Sequence, residues 1–302
     1  MEAIWDWGIQ FIKGFQTITC APLDWIAFLV HYGFNVPAYL LIVSVFMFCV
    51  DFHKGFAMGQ TMLISVGVNG IIKHKLAVPR PFQRDPSVFR ITETGFSTPS
   101  GHSQTASTVL PLLAWMCPSW KKVWRILLAT LCPLIIAVSR TYLGVHYPTD
   151  VLAGLLLGYI FSIGYMFWGS KLLTIVQGIP HSMQTLFWAM VAMVIVVFDK
   201  GSSDMAGAVF GMSLAYYAVV KDGGLKAAEG LWWQKLLRTL IGLGIFGVLY
   251  LGMKALFPSE GDYREAGRFI RYMVSIFCGI YYGVLLSVKL RLAERETEAK
   301  KA

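Results

Sequence analysis

The chain has 302 residues, 56% of them hydrophobic and only 14% charged, with a formal net charge of +9 from 26 basic and 17 acidic side chains. Its mean hydropathy is +0.59. A soluble domain carries about a quarter charged residues, so this composition excludes a soluble enzyme and describes an all-α, polytopic membrane protein.

The first stretch, "MEAIWDWGIQFIKGFQT", places Ile4, Trp7, Phe11 and Phe15 at helical spacing, with Glu2, Asp6 and Lys13 among the other positions. This pattern predicts an amphipathic helix lying in the membrane interface, and residues 1–34 are read as an interfacial N-terminal segment. The stretch does not resemble a cleavable signal, because it lacks a basic start and an unbroken apolar core.

Further along, apolar windows recur to the end of the chain. Crossing a ~30 Å hydrocarbon layer takes roughly 20 apolar residues. Spans are expected near 35–50, 56–77, 103–118, 122–143, 149–173, 184–199, 204–221, 236–257 and 267–288, a bundle of about nine helices. A Gly/Pro break, "QGIPHSM" at 177–183, divides a core of 35–176, which holds every polar stretch of chemical interest, from additional helices of unknown role at 177–302. Glycines spaced for close helix packing occur at Gly154/Gly158 and Gly207/Gly211. The five cysteines, Cys20, Cys49, Cys117, Cys132 and Cys278, show no paired spacing and read as small buried hydrophobes. If the loop at 83–98 lies outside, then Lys54, Lys121, Lys122, Arg125, Lys171, Lys221, Lys226, Lys235, Arg238 and the basic tail lie inside, as the positive-inside bias requires. The basic residues of 73–90 fall on the opposite side and need another explanation.

Three polar stretches interrupt the hydrocarbon-like background. In "KHKLAVPRPF", Lys73 and Arg80 bracket a helix end imposed by Pro79 and Pro81. They could be cations anchored at the membrane surface or a grip for an oxyanion, Arg by a fork and Lys by a point charge. In "GFSTPSGHSQT", Ser100, Gly101 and His102 fall at a helix N-terminus, where unpaired backbone N–H groups and the helix dipole make a seat for phosphate. An ordinary Ser cap beside a stray histidine is the alternative there. In "SRTYLGVHYPTDVLAG", Pro148 starts a helix with Asp150 in its first turn and His146 just ahead, a spacing that lets a carboxylate orient an imidazole. Arg140 adds a third cation, and simple capping by Asp150 is the competing view.

One assignment of spans brings all three stretches to the same membrane face. Fixed cations and helix-terminal N–H groups suit a phosphate whose charge is redistributed during transfer. His146, oriented by Asp150, could attack phosphorus while His102 protonates the leaving oxygen and later activates water. No cluster with metal-ligand spacing accompanies these residues, so neither a metal nor a cofactor is expected.

The strings K-x6-R-P at Lys73–Pro81, P-S-G-H at Pro99–His102 and S-R-x5-H-x3-D at Ser139–Asp150 resemble the three-part signature of the type-2 phosphatidic acid phosphatase and vanadium haloperoxidase superfamily. The resemblance covers about residues 20–176 and points to the membrane lipid phosphatase branch. It implies phosphate binding by Lys73, Arg80, Ser100, Gly101 and Arg140. His146 would be the nucleophile, His102 the general acid and Asp150 the orienting partner, with the site facing the extracytoplasmic side and the C-terminus in the cytoplasm. The expected partners are a membrane lipid phosphate and the bilayer, with no nucleic acid. A phosphotransferase using an acceptor other than water is the alternative, and a transporter or scaffold is a remote one.

Other polar residues are set aside. His31, His53 and His181 sit near span ends and read as interfacial or structural, His74 as structural, and Ser139 at most as a support for Arg140. Arg264, Arg268 and Arg271 follow helical spacing and read as interfacial anchors in preference to a second headgroup-holding surface.

Overall fold

Apolar runs in hydrocarbon must satisfy their own backbone hydrogen bonds, and in this chain they do so as helices. The structure is a computed structural model, and it describes residues 2–257, 261 and 263–297. Thirteen helices follow in order: α1 (Glu2–Gln16), α2 (Ala21–Gly33), α3 (Val36–Cys49), α4 (Phe52–Leu76), the single turn α5 (Pro81–Arg84), α6 (Gly101–Met116), α7 (Lys122–Tyr142), α8 (Pro148–Gly169), α9 (Ser170–Gly178), α10 (His181–Phe198), α11 (Ser203–Lys221), α12 (Trp232–Leu256) and α13 (Arg264–Lys289). Among the described residues there is no strand. Among the described residues seven helical segments are long and apolar enough to cross a membrane, and α2 with α3, bent by 56°, forms an eighth candidate. α6, at 16 residues, falls short of that length but corresponds to the span expected at 103–118, which agrees with about nine from hydropathy.

Compactness does not follow chain order. One unit comprises Met1–Tyr39 and Val68–Gly169, and the other comprises Leu40–Gly67 and Ser170–Ala302. α4 therefore contributes to both.

In the first unit, α8 lies against α6 at its small residues. A Cβ on Gly154 would fall 2.5 Å from the Ser100 carbonyl oxygen, and one on Gly158 would fall 2.3 Å from the Gln104 carbonyl oxygen. Only glycine permits that backbone approach, which seats the N-terminus of α6 beside the first turn of α8. α1 buries Ile9 and Ile12 against Val78, Val88 and Tyr147. Its other stripe, Ile4, Trp7 and Phe11, is about half exposed, as a helix lying in an interface requires.

The segment linking α4 to α6 is tied down from both N-terminal helices. Lys13 pairs with Asp85 at 2.7 Å, Arg84 with Asp6 at 3.0 Å and Arg90 with Asp24 at 2.6 Å. Gln16 donates to the carbonyls of Val88 and Tyr142. These pairs account for Arg84 and Arg90, two of the basic residues that ran against the charge bias.

Within the second unit, α11 meets α13 at Gly207 and Gly211, where added Cβ atoms would lie 2.2 and 2.3 Å from the carbonyl oxygens of Phe269 and Met273. Arg238, fully buried, donates to the carbonyls of Leu292, Phe48, Ala227 and Glu229 and ties four chain segments together. Arg268 pairs with Asp204 at 2.5 Å and Glu265 at 3.4 Å, while Arg271 stacks over Tyr250 and Tyr272. The two arginines are held inside the unit. None of the cysteines is fully buried: Cys20 is exposed and the other four are half-buried, because apolar side chains of a membrane helix also face lipid.

Gly144 turns the chain between α7 and His146 with φ +69°, and a Cβ there would lie 2.0 Å from the Val88 carbonyl oxygen. Gly144→Ala is therefore expected to destabilise the protein by about 1–3 kcal/mol or more. Gly14→Ala, with nothing within 4 Å of the new methyl, is expected to cost nothing. Unfolding midpoints of the two variants in one detergent check the pair; equal midpoints would contradict it.

Candidate active site

All eight motif residues named from the sequence belong to the first unit, and each is delivered by the end of an element. α4 ends at Leu76, and the chain leaves through Ala77 in the left-handed region, φ 48°, before Pro79 and Pro81 redirect it. Lys73, in the last turn of α4, donates to the carbonyls of Phe96 at 2.8 Å and Ser97 at 3.1 Å. Arg80 is 3% exposed. Its Nε donates to the Gly95 carbonyl at 3.0 Å, Nη2 to Thr94 at 2.6 Å, and Nη1 to Val145 at 3.0 Å.

Ser100 caps α6, its hydroxyl oxygen accepting from Ser103 N at 3.4 Å and from Ser103 Oγ at 2.9 Å. Asn69, on α4, donates to Gln104 Oε1 at 2.7 Å and steadies the same turn. Among the described residues Gly101 has only Asn69 Oδ1 within 4 Å of a would-be Cβ, at 3.6 Å. His102 turns Nδ1 toward Glu93 Oε1 at 3.9 Å, and its buried Nε2 has no hydrogen-bond partner among the described residues.

The third stretch supplies Arg140, His146 and Asp150, each at most 1% exposed. Arg140 donates through Nη2 to Glu93 and through Nη1 to His31 Nδ1. Asp150 accepts from Ser97 Oγ and Thr98 Oγ1 at 2.5 Å each and from the Tyr147 N–H at 2.9 Å, and its Oδ2 lies 3.5 Å from His146 Nδ1. The Ser100 N–H donates to the Asp150 carbonyl at 3.0 Å, joining the second and third motifs by a backbone bond.

Arg80 Nη1 lies 3.2 Å from His146 Nε2. A guanidinium can only donate, so Nε2 accepts and the imidazole proton sits on Nδ1, facing Asp150. Burial, followed by the charges of Lys73, Arg80, Arg140 and His102, holds His146 well below the ordinary imidazole value. The result is a neutral imidazole whose Nε2 lone pair is turned to a cation.

Two titratable residues outside the motifs join this constellation. Glu93 touches Arg140 and lies 4.0 Å from Arg80 and 3.9 Å from His102. It is the one acidic residue between Asp85 and Asp150, a signal that was open to view in the sequence. His31, read from the sequence as interfacial or structural, holds Arg140 from α2, with its ring centroid 5.6 Å from that of His102. Ser139, expected to support Arg140, instead donates to the Ile136 carbonyl of its own helix. His74 packs edge-on against Phe96.

Residues 54–173 match the PAP2 superfamily, and residues 203–295 match a PAP2 superfamily phosphatase, transmembrane extension. The chain belongs to the PAP2 superfamily. Among its relatives is phosphatidylglycerophosphatase B of Bacillus subtilis, 31% identical over 39% of this chain and 60% of the relative. Another is undecaprenyl-diphosphatase of Sulfolobus acidocaldarius, 33% identical over 34% of this chain and 50% of the relative. The alignments thus span about half to three-fifths of these curated relatives. The crystal structure of a transmembrane PAP2 type phosphatidylglycerolphosphate phosphatase from Bacillus subtilis shares the fold, with a TM-score of 0.50 at 22% identity over 57% of this chain and 88% of that one. This PAP2 chain is an integral membrane protein, and its C-terminal helices, without a role from sequence, correspond to the family's transmembrane extension.

The geometry of the PAP2 motif histidine fixes the direction of its titration. His146 gains a proton only as pH falls through its lowered value, so at pH 6.5, the ordinary midpoint, it remains neutral. Removing one nearby cation by Lys73→Met is expected to raise its midpoint. Carbon-13 chemical shifts of labelled histidine in detergent, assigned with His146→Gln, check both statements; a wild-type midpoint at or above 6.5 would contradict them.

Proposed function

We propose that this chain is a lipid phosphatase that hydrolyses a phosphomonoester or diphosphate carried by a membrane lipid, through a phosphohistidine on His146 and without a metal. The observation that carries the reading is the two-sided fixing of His146, with Nδ1 turned to Asp150 and the Nε2 lone pair turned to the Arg80 guanidinium. A phosphate placed against Arg80, Arg140 and Lys73 would present its phosphorus to that lone pair. Its peripheral oxygens would meet the guanidinium forks and the N–H groups at the start of α6, where negative charge is stabilised.

In the first step Nε2 forms a bond to phosphorus while the bond to the lipid oxygen breaks, and His102 gives that oxygen a proton. Asp150 stabilises the positive charge that develops on the His146 ring. In the second step His102 takes a proton from water, whose oxygen attacks phosphorus, releasing inorganic phosphate and restoring His146. The burial of Arg140, His146 and Asp150 strengthens each of these electrostatic contributions relative to water.

The relatives named phosphatidylglycerophosphatase and undecaprenyl-diphosphatase support a lipid phosphate or diphosphate as substrate. Polyprenyl diphosphate, phosphatidic acid and phosphatidylglycerophosphate all present the required terminal phosphate. The alternation of basic loops supports a site facing the extracytoplasmic side with the C-terminus in the cytoplasm.

Purified full-length protein in detergent with EDTA is expected to release phosphate from at least one of these lipids. His146→Ala is expected to lower kcat by at least about a thousandfold, and His102→Ala by about a hundredfold or more, with smaller loss for leaving groups that need no proton. Release that requires an added metal, or that survives His146→Ala, would overturn the reading.

A further inference from the structure

The cations of the site are not bare. The segment Glu93–Ser97 lays one acceptor after another across them: the Glu93 carboxylate on Arg140, the Thr94 and Gly95 carbonyls on Arg80, and the Phe96 and Ser97 carbonyls on Lys73. Four of the five residues offer neutral carbonyls, which orient the cationic side chains while leaving part of their donor capacity unused. A lysine has three N–H bonds, and among the described residues two of those on Lys73 are engaged. Glu93 alone brings charge.

Its position sets it apart as well. One carboxylate oxygen is on Arg140, and the other lies 3.9 Å from His102 Nδ1 and 4.0 Å from Arg80 Nη2. Three groups assigned above to the phosphate and its leaving oxygen therefore converge on a single carboxylate. A phosphate dianion and a carboxylate cannot both lie among these side chains without strong repulsion in a buried setting.

We infer that Glu93 is a specificity-determining residue, an internal anion that holds the phosphate seat until a terminal phosphate displaces it. The inference rests on the reading of Lys73, Arg80 and Arg140 as the phosphate site. Displacement needs only a side-chain rotation. Glu93 is about one-fifth exposed, whereas its segment is pinned on both sides by Arg90 on Asp24 and by the Ser97 N–H on the Val78 carbonyl. His31 keeps its contact with Arg140 meanwhile, so the guanidinium stays placed when the carboxylate leaves.

The consequence is discrimination by charge. A bilayer surrounds this site with phosphodiester headgroups that carry a single negative charge on phosphate and have no terminal phosphate. A monoanion exchanges with the Glu93 carboxylate at no electrostatic advantage. A phosphomonoester or diphosphate brings about two negative charges and gains from the exchange. Glu93 thereby refuses the abundant lipids and admits the substrate.

Calorimetric titration of the full chain in detergent, with inorganic phosphate and with dimethyl phosphate, tests this directly. The wild type is expected to bind phosphate and to show no binding of dimethyl phosphate over the same range. Glu93→Gln, close to isosteric, is expected to bind phosphate about tenfold more tightly and to bind dimethyl phosphate measurably. Glu93→Ser, which removes the whole head group, is expected to change both in the same direction. Phosphate affinity that is unchanged or weaker in both variants would overturn the inference and make Glu93 an anchor for Arg140. Wild-type protein whose phosphate binding is absent, or is undiminished by Lys73→Met, would instead overturn the phosphate-site reading on which the inference depends.

Discussion

Three cations and two histidines can share a water-poor site only if acceptors offset their mutual repulsion and lost hydration. That constraint shapes the first unit more than any other. Arg140 is fully buried and Arg80 nearly so, and both are held by groups outside their own helices: carbonyls from the Thr94–Gly95 turn, the Val145 carbonyl, the Glu93 carboxylate and His31. The Asp150 carboxylate is held by two hydroxyls and a backbone N–H before it reaches any histidine. The polar network is closed almost everywhere. Among the described residues, donors and lone pairs without a partner remain at Arg140 Nε and at His102 Nε2, and the proposed reaction uses these two side chains.

Such a network tolerates little movement, and the surrounding packing limits it. Gly154 and Gly158 let the backbones of α6 and α8 touch, so the cap of one helix and the first turn of the other share the Ser100–Asp150 backbone bond. The N-terminal helices brace the linking segment from outside by ion pairs with Asp6, Lys13 and Asp24. α1 thus has two roles, an apolar stripe turned outward and a brace turned inward.

The motif residues were legible in the sequence because each depends on local grammar: prolines ending a helix, a serine opening one, a histidine and an aspartate one turn apart. The helical class was legible from hydropathy for the same reason. Glu93 and His31 were not picked out, because their contacts with Arg140 span 47 and 109 residues and leave no periodic trace. α2 was absorbed into an interfacial segment because Asp24 and His31 lower its apolarity, although both point to partners in the unit, Arg90 and Tyr142 for one and Arg140 for the other. The two compact units were hidden because α4 serves both, and a boundary inside a continuous apolar helix has no compositional mark.

The central claim is a covalent bond between phosphorus and His146 Nε2. A phosphohistidine survives alkali and is lost in acid, which makes it trappable. The His102→Ala protein, mixed with a labelled phenyl phosphate ester whose leaving group needs no proton, is to be denatured in alkaline detergent after milliseconds to seconds and digested. Label on the peptide carrying His146, absent when His146 is also replaced, is the expected result. Turnover without label on the chain, or label on any other residue, would contradict it.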